Sequence, residues 1–128
     1  MNKVLLDTSI IIEYIRNGET KANDQLFLRS TISQITYTEL IYGFYKSKKI
    51  RELIKIDEFI KDFDIDVITI NNQVSHKFCE LKTTLENKDT KLADFDLIIA
   101  STAIVNNLSL YTTNTKHFQR IKGLELIK

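Results

Sequence analysis

The chain has no proline, no tryptophan, only three glycines and a single cysteine among its 128 residues. The lone cysteine, Cys79, excludes an intramolecular disulfide and fits a reducing compartment. Without proline-rich or glycine-rich stretches, the chain has nothing typical of a flexible linker between modules. We therefore expect one compact domain over residues 1–128, with short connections between its elements.

Long apolar runs are also absent. Asp7 interrupts the N-terminal apolar stretch too early for a signal peptide. The longest apolar-rich run, 97–105, contains Ser101 and Thr102 and falls short of the ~20 residues that a membrane-spanning helix needs. A net charge of +1 neither requires nor excludes a nucleic-acid partner. We expect a soluble, cytoplasmic protein with no membrane partner.

The hydrophobic pattern alternates between strand-like and helix-like segments. Apolar residues make up 43% of the chain and charged residues 27%, which is typical of a globular domain. Strands are predicted at 3–7, 30–35, 65–70 and 108–113, with a possible last strand at 124–127. Helices are predicted at 9–18, from 36 onward, within 46–63, at 73–87 and at 94–107. This alternation predicts an α/β fold with a central, mainly parallel sheet of four to five strands and helices on both faces.

Polar side chains follow several of the predicted strands. Asp7 ends the first strand, Glu39 lies in the first turn of the helix after the second, and Asn114 follows the strand at 108–113. Ligands of parallel sheets gather at the carboxyl ends of the strands, so these three residues should share one edge. Asp96 lies near the start of the helix that precedes the strand at 108–113. We expect a right-handed crossover to begin that helix at the opposite edge, which would not place Asp96 beside Asp7.

Each acid also has a purely structural interpretation. Glu39 completes Thr36-x-x-Glu39, the pattern of a helix capping box. Asp94 and Asp96 stand where a helix N-terminus favours negative charge, and one of them could cap that helix. Asp7 could be a solvated strand end, although a buried carboxylate is costly unless it is paired or bound to a metal.

Four segments together carry a family resemblance. They are LLDTSIIIEYI at the N-terminus, ITYTELIYG around Glu39, DFDLIIASTAIVNNLSLYT around Asp96, and the closing TTNTKHFQRIKGLEL. In this order and spacing, over nearly the whole chain, they make the sequence resemble a PIN domain, and most closely the VapC-like toxins of bacterial type II toxin–antitoxin systems.

The resemblance implies a metal-dependent endoribonuclease. The acids of the family's site match Asp7, Glu39 and Asp96, which would be catalytic and would bind Mg²⁺, with Mn²⁺ as a substitute. Hard divalent cations prefer such oxygen ligands, lower the pKa of a bound water and neutralise charge on a phosphate. Glu39 is the first candidate to orient or deprotonate that water.

Other residues of the matching segments have less defined roles. Many PIN domains carry a fourth acid where this chain has Asn114, which can ligate or hydrogen-bond but brings no charge. We therefore expect one strongly bound metal, while a second metal stays open and should bind more weakly. Thr8 and Thr113 are expected to support the site through their hydroxyls, and Asp94 is expected to cap the helix or to support the ligands.

The resemblance also implies three partners: an RNA substrate, a cognate antitoxin and a second copy of the chain. The basic segments at 46–55 and 116–122 could follow an RNA backbone or could be solvated helix faces. Tyr42 and Tyr45 could stack on bases or pack in a core or a dimer. His76 and His117 are expected at the surface, away from the acids.

Two other classes of function stay open. One is a catalytically silent PIN-like binding module. The other is a different Mg²⁺-dependent phosphoryl-transfer or receiver-type α/β domain. An aspartyl phosphatase would have an acid two residues after Asp7, where this chain has Ser9, and Lys116 corresponds only loosely to the lysine of a receiver domain.

Overall fold

The computed structural model describes residues 3–18, 24–88 and 92–127. Strands and helices alternate along the described chain, apart from consecutive helices in three places. The elements are β1 (Val4–Leu6), α1 (Thr8–Asn17), α2 (Asp24–Phe27), β2 (Thr31–Ser33), α3 (Gln34–Ser47), α4 (Ile50–Asp62), β3 (Asp66–Ile68), α5 (Asn72–Asn87), α6 (Asp94–Val105), β4 (Ser109–Tyr111) and α7 (Thr115–Phe118).

The four strands form one parallel sheet in the order β3-β2-β1-β4. β1 is central, with Leu5 opposite Thr31 of β2 on one side and Leu110 of β4 on the other. The predicted parallel sheet is therefore confirmed. The possible fifth strand at 124–127 is reduced to a single parallel bridge between Leu126 and Leu110.

The core lies on both faces of the sheet because side chains alternate along a strand. Leu5 and Leu6 are adjacent and fully buried, yet they belong to different hydrophobic clusters. The cluster around Leu5 contains apolar residues of α5, α6, β4 and α7, whereas the one around Leu6 contains residues of α1, α2, α3 and α4. Helices thus cover both faces, as the pattern predicts.

Two short helices leave no periodic pattern in the sequence. α2 and α7 have four residues each, which is too few to show a helical hydrophobic repeat. Each nevertheless contributes a fully buried ring to the core, Phe27 from α2 and Phe118 from α7. Within the described residues, no helix combines the length and apolarity needed to cross a membrane.

The ends of α1 and α3 have identifiable causes. Gly18 ends α1 in the left-handed region, with φ of 75°, and its N–H donates to the Tyr14 carbonyl. α3 begins earlier than predicted, because the Ser33 hydroxyl accepts from the Ile35 N–H at 3.2 Å. Thr36 therefore lies inside the helix, and the predicted capping box with Glu39 is wrong.

The expected position of the α6 N-terminus is also wrong. A helix that leads into a parallel strand runs antiparallel to it, so α6 ends near the amino end of β4 and begins near the carboxyl edge. The contact between Asp96 on α6 and His117, which follows β4, shows this arrangement directly. Chain geometry therefore brings Asp96 to the same edge as Asp7.

Candidate active site

Asp7 is the most deeply buried of the three predicted acids. Its residue is 3% exposed, and its N–H donates to the Tyr111 carbonyl at the end of the neighbouring strand, at 2.9 Å. Its Oδ2 accepts two hydroxyl hydrogen bonds, from Ser9 at 2.8 Å and from Thr112 at 2.7 Å. The described residues supply no donor to Oδ1. One carboxylate oxygen is thus held firmly while the other is available to a ligand.

Glu39 lies in the second turn of α3, half-buried beside the α1 N-terminus. The Thr8 hydroxyl donates to Glu39 Oε1 at 2.7 Å, and the same hydroxyl oxygen lies 3.1 Å from Thr36 Oγ1. Burial raises the pKa of Glu39; the Thr8 hydrogen bond opposes this, and the charges of Asp96 and Asp7 raise it further. Glu39 therefore keeps its proton more readily than a solvated glutamate does.

Asp96 lies in the first turn of α6, with its side chain 30% exposed. Its Oδ2 lies 2.9 Å from His117 Nε2. Burial raises the pKa of Asp96, the hydrogen bond from His117 lowers it, and the charge of Asp7 raises it. His117 was expected at the surface, away from the acids, but α7 folds back and places its ring against this carboxylate.

The three carboxylates form an electrostatically coupled group at the carboxyl edge of the sheet. Asp7 raises the pKa of both Glu39 and Asp96, and Asp96 raises that of Glu39. Each is also held by protein donors. Over the described ranges, no group of three or more His, Cys, Asp or Glu side chains already surrounds a point where a metal ion could sit. The three acids therefore lie at one edge of the sheet, but their oxygens do not already surround a metal-binding position.

The loop after β4 supports Asp7 through its backbone and one hydroxyl. Thr112 is buried and binds Asp7 directly, whereas Thr113 is exposed and donates its N–H to Ser9 Oγ at 3.2 Å. Asn114 is exposed, and its N–H donates to Thr112 Oγ1 at 3.0 Å. Thr112, and not the adjacent Thr113, therefore donates its hydroxyl to Asp7.

Asp94 is turned away from the acids. It forms an ion pair with Lys82 of α5 at 3.0 Å. The N-cap position of α6 is occupied by Ala93, whose side chain makes no capping hydrogen bond. The prediction that Asp94 or Asp96 caps this helix is therefore wrong.

Three further sequence expectations concern surface residues. His76 is exposed, as predicted. Tyr42 and Tyr45 are 66% and 70% exposed. Packing in the core is therefore excluded for both, and stacking on bases or packing in a dimer stays open.

Neutralising Glu39 should stabilise the metal-free fold. Folding raises the pKa of the Glu39 carboxyl, so its ionised form destabilises the native state. This loss of folding free energy is absent at low pH and grows as the pH rises through the pKa of the folded state. We expect Glu39→Gln to gain about 1 kcal/mol at pH 7, or about 4 °C in Tm. The gain should shrink as the pH is lowered and the wild-type carboxyl protonates.

Thermal unfolding in metal-free buffer at several pH values measures this effect. The matched control is Glu58→Gln, at an exposed position on α4, which should stay within about 0.5 kcal/mol of the wild type. A Glu39→Gln protein that is less stable than the wild type at pH 7 would contradict the expectation.

The chain matches known proteins over nearly its whole length. The family model described as "PIN domain" matches residues 4–124. Ribonuclease VapC2 of Rickettsia felis is 35% identical over 95% of this chain and 94% of its own length. The tRNA(fMet)-specific endonuclease VapC of Shigella flexneri is 32% identical over 97% and 96%.

A solved structure agrees with these matches. The crystal structure of VapBC2 from Rickettsia felis, bound to a DNA fragment from its promoter, contains a chain that superposes with a TM-score of 0.89. That chain is 34% identical, and the alignment covers 97% of this chain and 96% of that one. With the parallel sheet and the acids at its carboxyl edge, these matches show that the chain belongs to the PIN-domain family and resembles its VapC ribonucleases.

Proposed function

We propose that this protein is a Mg²⁺-dependent endoribonuclease, the toxin of a type II toxin–antitoxin pair. The observation that carries the proposal is the convergence of Asp7, Glu39 and Asp96 at one sheet edge, where Asp7 raises the pKa of both Glu39 and Asp96. The similar proteins named ribonuclease and tRNA(fMet)-specific endonuclease support RNA as the substrate.

The donor set fits a hard divalent cation. It consists only of carboxylate oxygens, which Mg²⁺ and Mn²⁺ prefer. Mutual repulsion among the three acids favours a positive ion between them, and Asp7 keeps Oδ1 clear of donors from the described residues. Mg²⁺ commonly uses one or two carboxylates with waters and substrate phosphates, so a finished protein chelate is not required. Asp7 and Asp96 would hold the ion, with Glu39 beside it.

The chain's own residues then have distinct tasks. When bound, a divalent cation would neutralise charge on the scissile phosphate and lower the pKa of a bound water. The raised pKa of Glu39 suits it to accept a proton from the water that attacks phosphorus, while the bond from phosphorus to one sugar oxygen breaks. Thr8 orients Glu39, His117 orients Asp96, and Ser9 with Thr112 fixes Asp7.

The partners follow from the similar proteins. The structure from Rickettsia felis is of a VapBC complex, which supports a cognate antitoxin that binds this chain. A homodimer stays a prediction. A catalytically silent PIN module would have no need for three mutually repelling carboxylates, which destabilise a fold unless they serve a ligand.

Metal removal tests the proposal. Purified protein should cleave RNA in Mg²⁺ or Mn²⁺, lose cleavage in excess EDTA and regain it when either ion is restored. Mg²⁺ should also raise the Tm, because a ligand that binds only the native state stabilises it. Asp7→Asn should abolish that Tm increase. Cleavage at the same sites in EDTA would overturn the metal requirement, and no cleavage under any condition would favour the silent module.

A further inference from the structure

His117 brings a ring nitrogen to the group of three carboxylates. Its Nε2 lies 2.9 Å from Asp96 Oδ2. The side chains of His117 and Asp96 are 37% and 30% exposed, so an ion with its bound waters can reach both of them. The chain's second histidine, His76, is exposed on α5 and provides an internal comparison. His117 is thus the histidine that the fold places against a candidate metal ligand.

The distance between these two atoms matches the distance between neighbouring ligands of one metal ion. An octahedral Mg²⁺ or Mn²⁺ ion has bonds of about 2.1 Å, so two ligand atoms at right angles are about 3 Å apart. The separation of 2.9 Å between Asp96 Oδ2 and His117 Nε2 is close to this value. One ion could therefore bind both atoms near the positions that they already occupy.

The hydrophobic core fixes the backbones that carry this pair. Leu97 follows Asp96 on α6, and Phe118 follows His117 on α7. Both apolar side chains are buried in the same hydrophobic cluster, so α6 and α7 are joined beneath the pair. The charge of Asp7 also acts on Asp96, which places the pair within electrostatic reach of the most buried acid. A donor set that is held in this way needs little rearrangement to bind an ion.

We propose that His117 binds the divalent cation of this site through Nε2, beside Asp96. The inference rests on the proposed function, in which Asp7 and Asp96 hold that ion. A nitrogen ligand changes which ions the site prefers, because imidazole suits transition-metal ions better than it suits Mg²⁺. Carboxylates and waters are sufficient for Mg²⁺, whereas a set of carboxylates with one imidazole also binds ions such as Co²⁺ well. The ring proton of the ligating imidazole is then on Nδ1.

Electron spin echo envelope modulation of bound Mn²⁺ tests for the nitrogen ligand without requiring cleavage. A ligating imidazole nitrogen modulates the echo of Mn²⁺, and labelling the histidines with the heavier nitrogen isotope changes the modulation. The wild-type protein, free of any purification tag, should show an imidazole signal that changes on labelling. His117→Gln should lose this signal, although its amide keeps a donor for Asp96. His76→Gln, the matched control, should retain the signal.

Metal affinity, measured by isothermal titration calorimetry, gives a second readout. His117→Gln should raise the Kd for Co²⁺ at least about tenfold but the Kd for Mg²⁺ less than about threefold, because Mg²⁺ depends on the oxygen ligands. His76→Gln should change the Kd for either ion less than about twofold. Asp96→Asn should weaken the binding of both ions. If His117→Gln does not fold, the isotope comparison on the wild type still decides whether an imidazole binds the ion.

The inference is overturned if the wild type binds Mn²⁺ without an imidazole signal, if it binds no Mn²⁺, or if His76→Gln loses the signal. It is also overturned if His117→Gln weakens Co²⁺ and Mg²⁺ equally, which would make His117 only a positioning residue for Asp96. In each case metal-dependent cleavage of RNA by the wild type would leave the proposed function standing. Cleavage that persists in EDTA would remove the proposed metal requirement separately.

Discussion

Replacing Asp96 by asparagine is expected to lower RNA cleavage about 10³-fold, equivalent to about 4 kcal/mol of transition-state stabilisation. Asparagine keeps the size of the side chain and an oxygen for His117, but it removes a negative charge from the three-carboxylate group. The fold should be retained and should gain stability in metal-free buffer, because the charge of Asp96 is destabilised by burial and by Asp7. A large loss of cleavage rate with no loss of folding stability indicates that the carboxylate acts in catalysis and not in folding.

Asp94 provides a closely matched control for this experiment. It is the same residue type on the same turn of α6, but it pairs with Lys82 instead of facing the acids. Asp94→Asn should therefore cleave RNA within about threefold of the wild type, since an exposed ion pair contributes little. Inducible expression followed by sequencing of RNA 5′ ends, together with kcat/KM on purified protein, measures both variants. Identical 5′ ends from wild type and Asp96→Asn would remove the nuclease assignment.

Truncation of Phe27 to alanine is expected to cost about 4 kcal/mol of folding free energy. The ring is fully buried and makes edge contacts with Tyr14, Phe59 and Phe63, at centroid separations of 5.3 to 5.6 Å. Its loss would leave a cavity between helices packed on one face of the sheet. A domain of this size has a total stability of about 5–15 kcal/mol, so the variant should be marginal.

Denaturant unfolding measures the effect as a shift of the midpoint with little change in slope. Phe95→Ala, the same truncation at a position that is 46% exposed, should cost less than about 1 kcal/mol. Equal destabilisation of the two variants would show that the aromatic cluster around Phe27 does not carry the stability assigned to it.

Patterns of hydrophobicity predict most of this fold because long helices and buried strands impose clear periods. The sheet and its five longer helices follow from such patterns, whereas α2 and α7 are too short to produce them. Asp7 and Glu39 follow from the rule that ligands gather at the carboxyl edge. Asp96 reaches the same edge because α6 runs antiparallel to β4, the strand that follows it.

Contacts between distant residues are harder to predict from sequence. His117 meets Asp96 only because α7 turns back over the end of β4, and no periodic signal marks a four-residue helix. The choice between Thr112 and Thr113 depends on the side to which each side chain points just after β4 ends. Since the faces alternate residue by residue, an error of one position exchanges the two hydroxyls.

The position of β1 between strands from distant parts of the chain has a consequence for the protein during its own synthesis. Asp7 leaves the ribosome early, but Thr112, which holds its carboxylate, follows 105 residues later. His117, the partner of Asp96, comes later still. A nascent chain that ends before β4 therefore has its central strand paired only with β2, and its Asp7 lacks the hydrogen bond from Thr112. The three acids are therefore brought together, with all their hydrogen-bond partners, only when almost the whole domain has been translated.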